Sequence, residues 1–310
     1  MGSSRTAAMF VGHALLAFAL VALAGERLGW DRRGTLTVAL LAASFGALPD
    51  VDVVYAPVGV LLAGDAATPE SFWAAGNLVH RGVTHSLVVG ACTAAAAGLL
   101  ARRETTARTA GIAVLAVVVA VVTLVSGGLA LAVTLVFVAG AVGLVAVATR
   151  RGVTPRAVTG AALLGLLSHP FGDVFTGSPP AFLYPLDTVL LAERVTLSDD
   201  LTLHLLGAFW VELAVIWVAV AAYFRLTDRS LAAHVERPAA LGVAYGGAAL
   251  VLPAPTLEVS YQFVYSVLAV GLVGAASTRP LARPARSAVV TALAAVTLAS
   301  LSYALVYLAM

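Results

Sequence analysis

Lysine is absent from this 310-residue chain; all eighteen of its basic residues are arginines. Charge of either sign is scarce, at 11% of residues, against about a quarter in an ordinary soluble domain. Together with a mean hydropathy of +0.98, that scarcity excludes a single water-soluble core and indicates a polytopic membrane protein. Without lysine, lysine-based catalysis is impossible. The single cysteine, Cys92, rules out an internal disulfide and a CxxC metal site. No HExxH, GxxxxGK(S/T) or GxSxG sequence occurs, which removes the motifs of zincin-type proteolysis, P-loop nucleotide binding and nucleophile-elbow hydrolysis. A net charge of +2 is too small to imply a nucleic-acid partner.

What the chain has instead is apolar runs. A spanning helix needs about 20 apolar residues. That criterion predicts an all-α transmembrane bundle of about ten helices, near 7–24, 35–48, 82–100, 110–126, 129–148, 158–171, 203–224, 238–252, 258–275 and 287–309. The run 110–148 is too long for one helix, and Ser126-Gly127-Gly128 supplies a turn between two. The first run carries Arg5 but no small-residue cleavage site, so it is expected to remain as a helix. Alternating the faces puts fifteen of the eighteen arginines on one side, in connections near 25–34, 101–109, 149–157, 225–237 and 276–286. Only Arg5, Arg81 and Arg194 fall on the other. By the positive-inside rule the arginine-rich face is cytoplasmic and both termini lie outside, in the cell membrane.

Against this background three polar clusters stand out: Pro49-Asp50-Val51-Asp52, His80-Arg81-Gly82-Val83-Thr84-His85-Ser86 and Ser168-His169-Pro170-Phe171-Gly172-Asp173. His13 adds a polar point in the first apolar run. Alternation brings all four to the extracytoplasmic face. Ionisable groups are costly at a bilayer, and gathering several suggests a working site. Imidazoles with carboxylates form the ligand set of zinc, manganese or iron, and carboxylates also serve magnesium.

In an extended or loop segment, Asp50 and Asp52 project to one side and can bind one cation or bridge two; the plainer reading is a turn with an Asp cap. His80 and His85 would point apart on a regular helix. They converge if His80 lies in a loop and His85 on the first turn of the next helix, with Gly82 at the bend. Thr84 or Ser86 then caps that helix or supports a histidine. Arg81 suits either an anionic substrate group or a salt bridge to Asp50, Asp52 or Asp173. His169 and Asp173, four apart, stack on one helical face and can chelate one ion. The prolines and aromatics of 179–185 indicate an ordered loop over that face. His204 is expected at an interface, and His234 lies in a cytoplasmic loop.

These residues in this order, and the HRGxTHS stretch above all, resemble the YdjM-like membrane-bound metal-dependent hydrolases. The resemblance covers roughly residues 9–190, so that 1–200 forms the core, with 110–148 a candidate insertion and 201–310 an addition of four helices. It implies a hydrolase with a divalent metal, zinc first and manganese or magnesium next. His13, Asp50, Asp52, His80, His85, His169 and Asp173 are then the metal ligands. Whichever of Asp50 and Asp52 is not a ligand serves as general base, and Arg81 as anchor for an anionic group. The family is distantly similar to zinc-dependent phospholipase C enzymes, which favours a phosphoester substrate such as a lipid headgroup. Two other readings fit the same residues: a metal-handling transporter or channel, and a structural membrane protein.

Overall fold

The computed structural model describes residues 10–54, 60–61, 81–257, 259–275 and 285–310. Among them every regular element is helical. The helices are α1 (Phe10–Arg27), α2 (Arg32–Ala47), α3 (Leu87–Leu100), α4 (Thr105–Arg150), α5 (Pro155–Gly172), α6 (Leu201–Leu226), α7 (Tyr261–Ala275) and α8 (Ala285–Ala309). Short 3-10 turns follow α2 at Pro49–Val54, precede α3 at Val83–His85 and follow α5 at Asp173–Phe175. The chain forms two compact units, Met1–Val195 and Thr196–Met310.

Five described segments are long and apolar enough to cross a bilayer: Arg32–Val53, Thr105–Arg150, Pro155–Phe175, Leu201–Leu226 and Ala285–Ala309. One of them, Thr105–Arg150, takes up two of the ten expected spans, and among the described residues other expected segments fall short of spanning length. Helix α3 has 14 residues. The stretch Arg237–Leu250 winds as a 3-10 helix, a form that seldom persists beyond one turn.

Helix α4 breaks at Gly127, with φ of 77° and ψ of −164°. Only glycine adopts that conformation without strain. Arg108 near its start and Thr149–Arg150 at its end line one common cavity, so the two arms fold back on each other, as the Ser126-Gly127-Gly128 sequence predicts. Ile112, Val117 and Leu124 on the first arm and Leu135 and Val136 on the second are exposed, and such apolar surface belongs against lipid.

In the first unit α2 packs on α1 and α5, and α3 packs on α4 and α5. The α2–α5 contact is backbone-close: a Cβ on Gly165 would sit 2.6 Å from the Ala42 carbonyl and 2.7 Å from the Gly46 nitrogen. Small residues let membrane helices approach this closely. Caps fix the helix starts. Asp31 accepts from the Gly34 N–H, and Ser86 accepts from Val88 and Val89. Pro155 occupies the first turn of α5, where its missing N–H costs nothing.

The second unit packs α6, α7, α8 and the 237–250 stretch around Leu206, Val267, Ala299 and Tyr303. Trp210 and Trp217 donate to Ser300 and Thr297 at 3.2 and 3.0 Å. These are interhelical hydrogen bonds of the kind that fix helix register in lipid.

Candidate metal centre

At the end of the first unit where α2 and α5 finish and α3 begins, the polar clusters converge. The 3-10 turn after α2 carries Asp50 and Asp52. It is not extended, and with three residues per turn a spacing of two sends the carboxylates in different directions. They take opposite edges of the His85 ring. Asp50 Oδ1 is 3.7 Å from Nε2, and Asp52 Oδ2 is 3.5 Å from Nδ1. The expectation that both project to one side is therefore corrected.

His85 ends the turn ahead of α3 and is completely buried. The hydroxyl of Thr84 donates to Asp52 Oδ2 at 3.0 Å and lies 3.0 Å from His85 Nδ1. An ionised carboxylate only accepts, so the hydroxyl proton goes to Asp52 and the oxygen accepts from His85 Nδ1–H. The neighbouring Ser86 caps α3 and donates to the Tyr184 carbonyl at 2.6 Å. Thr84 and Ser86 thus divide the two duties that the sequence left open between them.

His169, also fully buried, reaches the site from the last turn of α5. Its Nδ1 lies 2.7 Å from the Gly46 carbonyl. A carbonyl can only accept, so Nδ1 carries the hydrogen and Nε2 presents its lone pair to the site. Nε2 of His169 and Nε2 of His85 stand 3.0 Å apart. At that distance either a proton on His85 Nε2, donated to the His169 lone pair, or a cation beside both nitrogens satisfies the pair. Asp173, opening the turn beyond α5, places Oδ2 3.2 Å from His85 Nε2. Asp50 Oδ1 is 3.5 Å from His169 Nε2. His13 comes from α1, with Nε2 3.5 Å from Asp173 Oδ1 and its ring 4.1 Å from that of His169.

The donor atoms thus form two overlapping groups, His85–His169–Asp173 and His13–Asp50–His169, each within 4.8 Å. Four ligands around zinc at about 2.0–2.1 Å would stand about 3.3 Å from one another, and the separations of 3.0–3.7 Å bracket that value. Asp50 Oδ2 is buried without a hydrogen-bond donor among the described residues. Residue types, spacing and this orphaned oxygen all fit a divalent metal. Asp52 stands outside both groups, behind the His85 ring. His80 lies outside the described residues. His204 and His234 belong to the second unit. His204 accepts from the Leu197 N–H, and His234 accepts from Arg286.

Arg81 has a strained backbone, with φ at 66°. Its guanidinium pairs with Asp173 at 3.1 Å and donates to the Thr176 hydroxyl and to the carbonyls of Thr176 and Ser178. Its own carbonyl accepts from the Ala181 N–H. The salt bridge to Asp173 is thus the alternative that the geometry realises. Through it Arg81 ties the 176–186 loop over the turn that carries His85. That loop borders a cavity of about 790 Å³, lined by Arg81 and Gly82 and by Pro180, Phe182, Leu186 and Leu190.

His85 lies outside the spanning helices. Burial, which lowers a histidine, is outweighed there by the carboxylates of Asp173 and Asp50, and His85 is pushed up to about 10.

Two features of the site have no signature in ligand residue types. One is the Gly46 carbonyl, a backbone group. The other is Gly172, whose missing Cβ makes room for His13: a Cβ there would sit 2.2 Å from His13 Nδ1. The small-residue spacings Ala42-xxx-Gly46 and Ala161-xxx-Gly165 are the sequence signal that could have located the close helix approach. A Gly172→Ala variant should fold but displace the His13 ring. Zinc titration of the purified variant should then show about tenfold or more weaker binding, the usual scale for disturbing a metal ligand's surroundings.

No curated protein and no solved structure matches the chain. A family model described as YdjM inner membrane protein matches residues 9–245, well past the residues that carry the motifs and into the second unit. The chain belongs to the YdjM inner membrane protein family.

Proposed function

We propose that this protein is a metal-dependent hydrolase of the cell membrane, acting at the extracytoplasmic face on a phosphoester of a lipid or lipid-linked substrate. The observation that carries the proposal is the pair of Nε2 atoms 3.0 Å apart, His169 being held in the metal-binding tautomer by the Gly46 carbonyl and His85 by Thr84 and Asp52. The arginine distribution of the sequence supports the outward orientation.

In this reading His85, His169 and Asp173 hold the metal, and His13 and Asp50 complete the ring of donors. A bound zinc, manganese or magnesium ion supplies a water of lowered pKa and polarises the scissile group. Asp50 Oδ2, which has no donor among the described residues, would take the proton of the attacking water and release it to the leaving oxygen as the P–O ester bond breaks. Asp52 acts through Thr84 to keep the lone pair of His85 turned toward the centre. Arg81 is a positioning residue that fixes Asp173 and the 176–186 loop. The cavity beside that loop, whose lining mixes aliphatic side chains and prolines with the charged Arg81 and Asp187 and the hydroxyls of Ser178, Tyr184 and Thr188, suits an amphiphilic substrate.

The test is turnover of phosphoester lipids by the metal-loaded full chain in proteoliposomes. Parent protein should release product. Asp50→Asn, which keeps one oxygen donor, should retain metal while losing about 10²–10⁴ of the rate. Undiminished turnover in that variant would overturn the role of Asp50. No product from the parent, with metal-ion flux that depends on His85, would favour transport.

The raised His85 also predicts a pH dependence. At neutral pH a proton occupies Nε2 and must leave when metal binds. Metal affinity should therefore rise about tenfold per pH unit between pH 6 and 9, measured by competition with a chelator of known affinity. In the metal-free protein the same shift acts on folding. Its stabilisation is present in full below the ordinary histidine value of about 6.5 and is lost as pH rises through about 10.

A further inference from the structure

At the opposite end of the first unit two cavities adjoin, and they differ in character. One, of about 870 Å³, lies where α3 ends, α4 begins and ends, and α5 begins; its walls carry Arg102, Arg103, Arg108, Arg150 and Arg156 against a single acid, Glu104. No ion pair among the described residues engages these five. Arg108 is held by its own contact, Nε donating to the Arg102 carbonyl at 2.8 Å. The other, of about 410 Å³, is a groove between α1, α2 and α5. Its walls are mostly small and aliphatic, among them Val21, Val38, Ala161 and Leu164, with Trp30 and Asp31 at one end, the Asp31 carboxylate accepting from the Gly34 N–H as the cap of α2. Thr154 and Arg156 line both cavities. A Cβ on Gly160, which lines the groove, would meet nothing within 4 Å, so the space there is open.

We infer that the two cavities together bind one anionic phospholipid, its phosphate among the arginines and an acyl chain along the groove. Charge complementarity selects the headgroup, since arginine forks match phosphate oxygens and basic pockets between membrane helices attract anionic lipid. Trp30, 45% exposed at the groove mouth, stands where tryptophans mark the edge of a bilayer. The apolar groove continuing from the arginines distinguishes a lipid from a free anion, which would need only the basic cavity. The site is separate from the histidine–aspartate centre and does not depend on its chemistry.

The test is native mass spectrometry of the full chain in neutral detergent, with phosphatidylglycerol, phosphatidylcholine of the same acyl chains, or soluble glycerol phosphate added. The parent should hold one phosphatidylglycerol at least about tenfold more tightly than phosphatidylcholine. An Arg102→Gln/Arg108→Gln/Arg156→Gln variant should lose that preference, at the roughly fivefold per arginine that a charge near an anionic surface contributes. Gly160→Leu, which fills the groove without touching the arginines, should weaken both lipids. Equal binding of the two lipids by the parent, full retention in either variant, or displacement of the lipid by equimolar glycerol phosphate would each overturn the inference.

Discussion

Asp173→Ala should destabilise the protein by about 3–5 kcal/mol. The carboxylate sits at the junction of Arg81, His13 and His85, with all four side chains buried. Removing one partner of a buried ion pair leaves the other charge without compensation, and that penalty exceeds the net worth of the pair. Here the stranded group is the Arg81 guanidinium. It would keep its carbonyl acceptors at Thr176 and Ser178 but lose its anion. The 176–186 loop should loosen with it, because Arg81 anchors that loop from both its side chain and its backbone. A double variant, Asp173→Ala/Arg81→Met, removes both charges and should regain much of the loss. Thermal unfolding in detergent measures both. A single-variant loss below about 1 kcal/mol, or a double variant no better than the single, would show that the pair does not hold the site together.

Gly165→Ala should be almost as damaging, through packing alone. The added methyl would meet the Ala42 carbonyl, the Gly46 nitrogen and the Phe45 Cβ at 2.6–2.7 Å. Two of these are backbone atoms, which cannot swing aside, so α2 and α5 must part. Overpacking of this kind costs about 1–3 kcal/mol. The functional cost should be larger, because the same approach brings the Gly46 carbonyl to His169 Nδ1. Once that hydrogen bond lengthens, His169 is free to rotate or change tautomer, and metal affinity should fall by about 10–100-fold. Zinc titration beside thermal unfolding separates the two effects. Unchanged metal affinity in a destabilised variant would mean that Gly46 does not orient His169.

Much of this site was legible because it depends on order and alternation. Alternating the membrane faces along the chain brings Asp50, His85, His169 and Asp173 to one end without knowledge of packing, and the structure gathers them there together with His13. The break at Gly127 was legible because two adjacent glycines in an overlong apolar run have few other uses. The direction of Asp52 was not. It follows from a 3-10 turn after α2 in place of an extended segment, a difference of local winding that Pro49 permits but does not dictate. Nor was the role of Gly46, since its contribution is a carbonyl oxygen that every residue carries. The 237–250 stretch reads as apolar and helical, yet it winds as a 3-10 helix. Pro238 and its Gly- and Ala-rich sequence leave the choice of winding to packing against α8, where Gly242 lies 2.2 Å, by its absent Cβ, from the Ala295 carbonyl.

The two facing histidines, His85 and His169, stand or fall as metal ligands by metal content. The most direct measurement is the metal content of the detergent-purified protein by inductively coupled plasma mass spectrometry, beside a His85→Ala/His169→Ala variant. The parent should carry at least one equivalent of zinc or manganese per chain and the variant none. No metal in the parent after reconstitution with zinc, manganese and magnesium, or equal metal in both proteins, would contradict it.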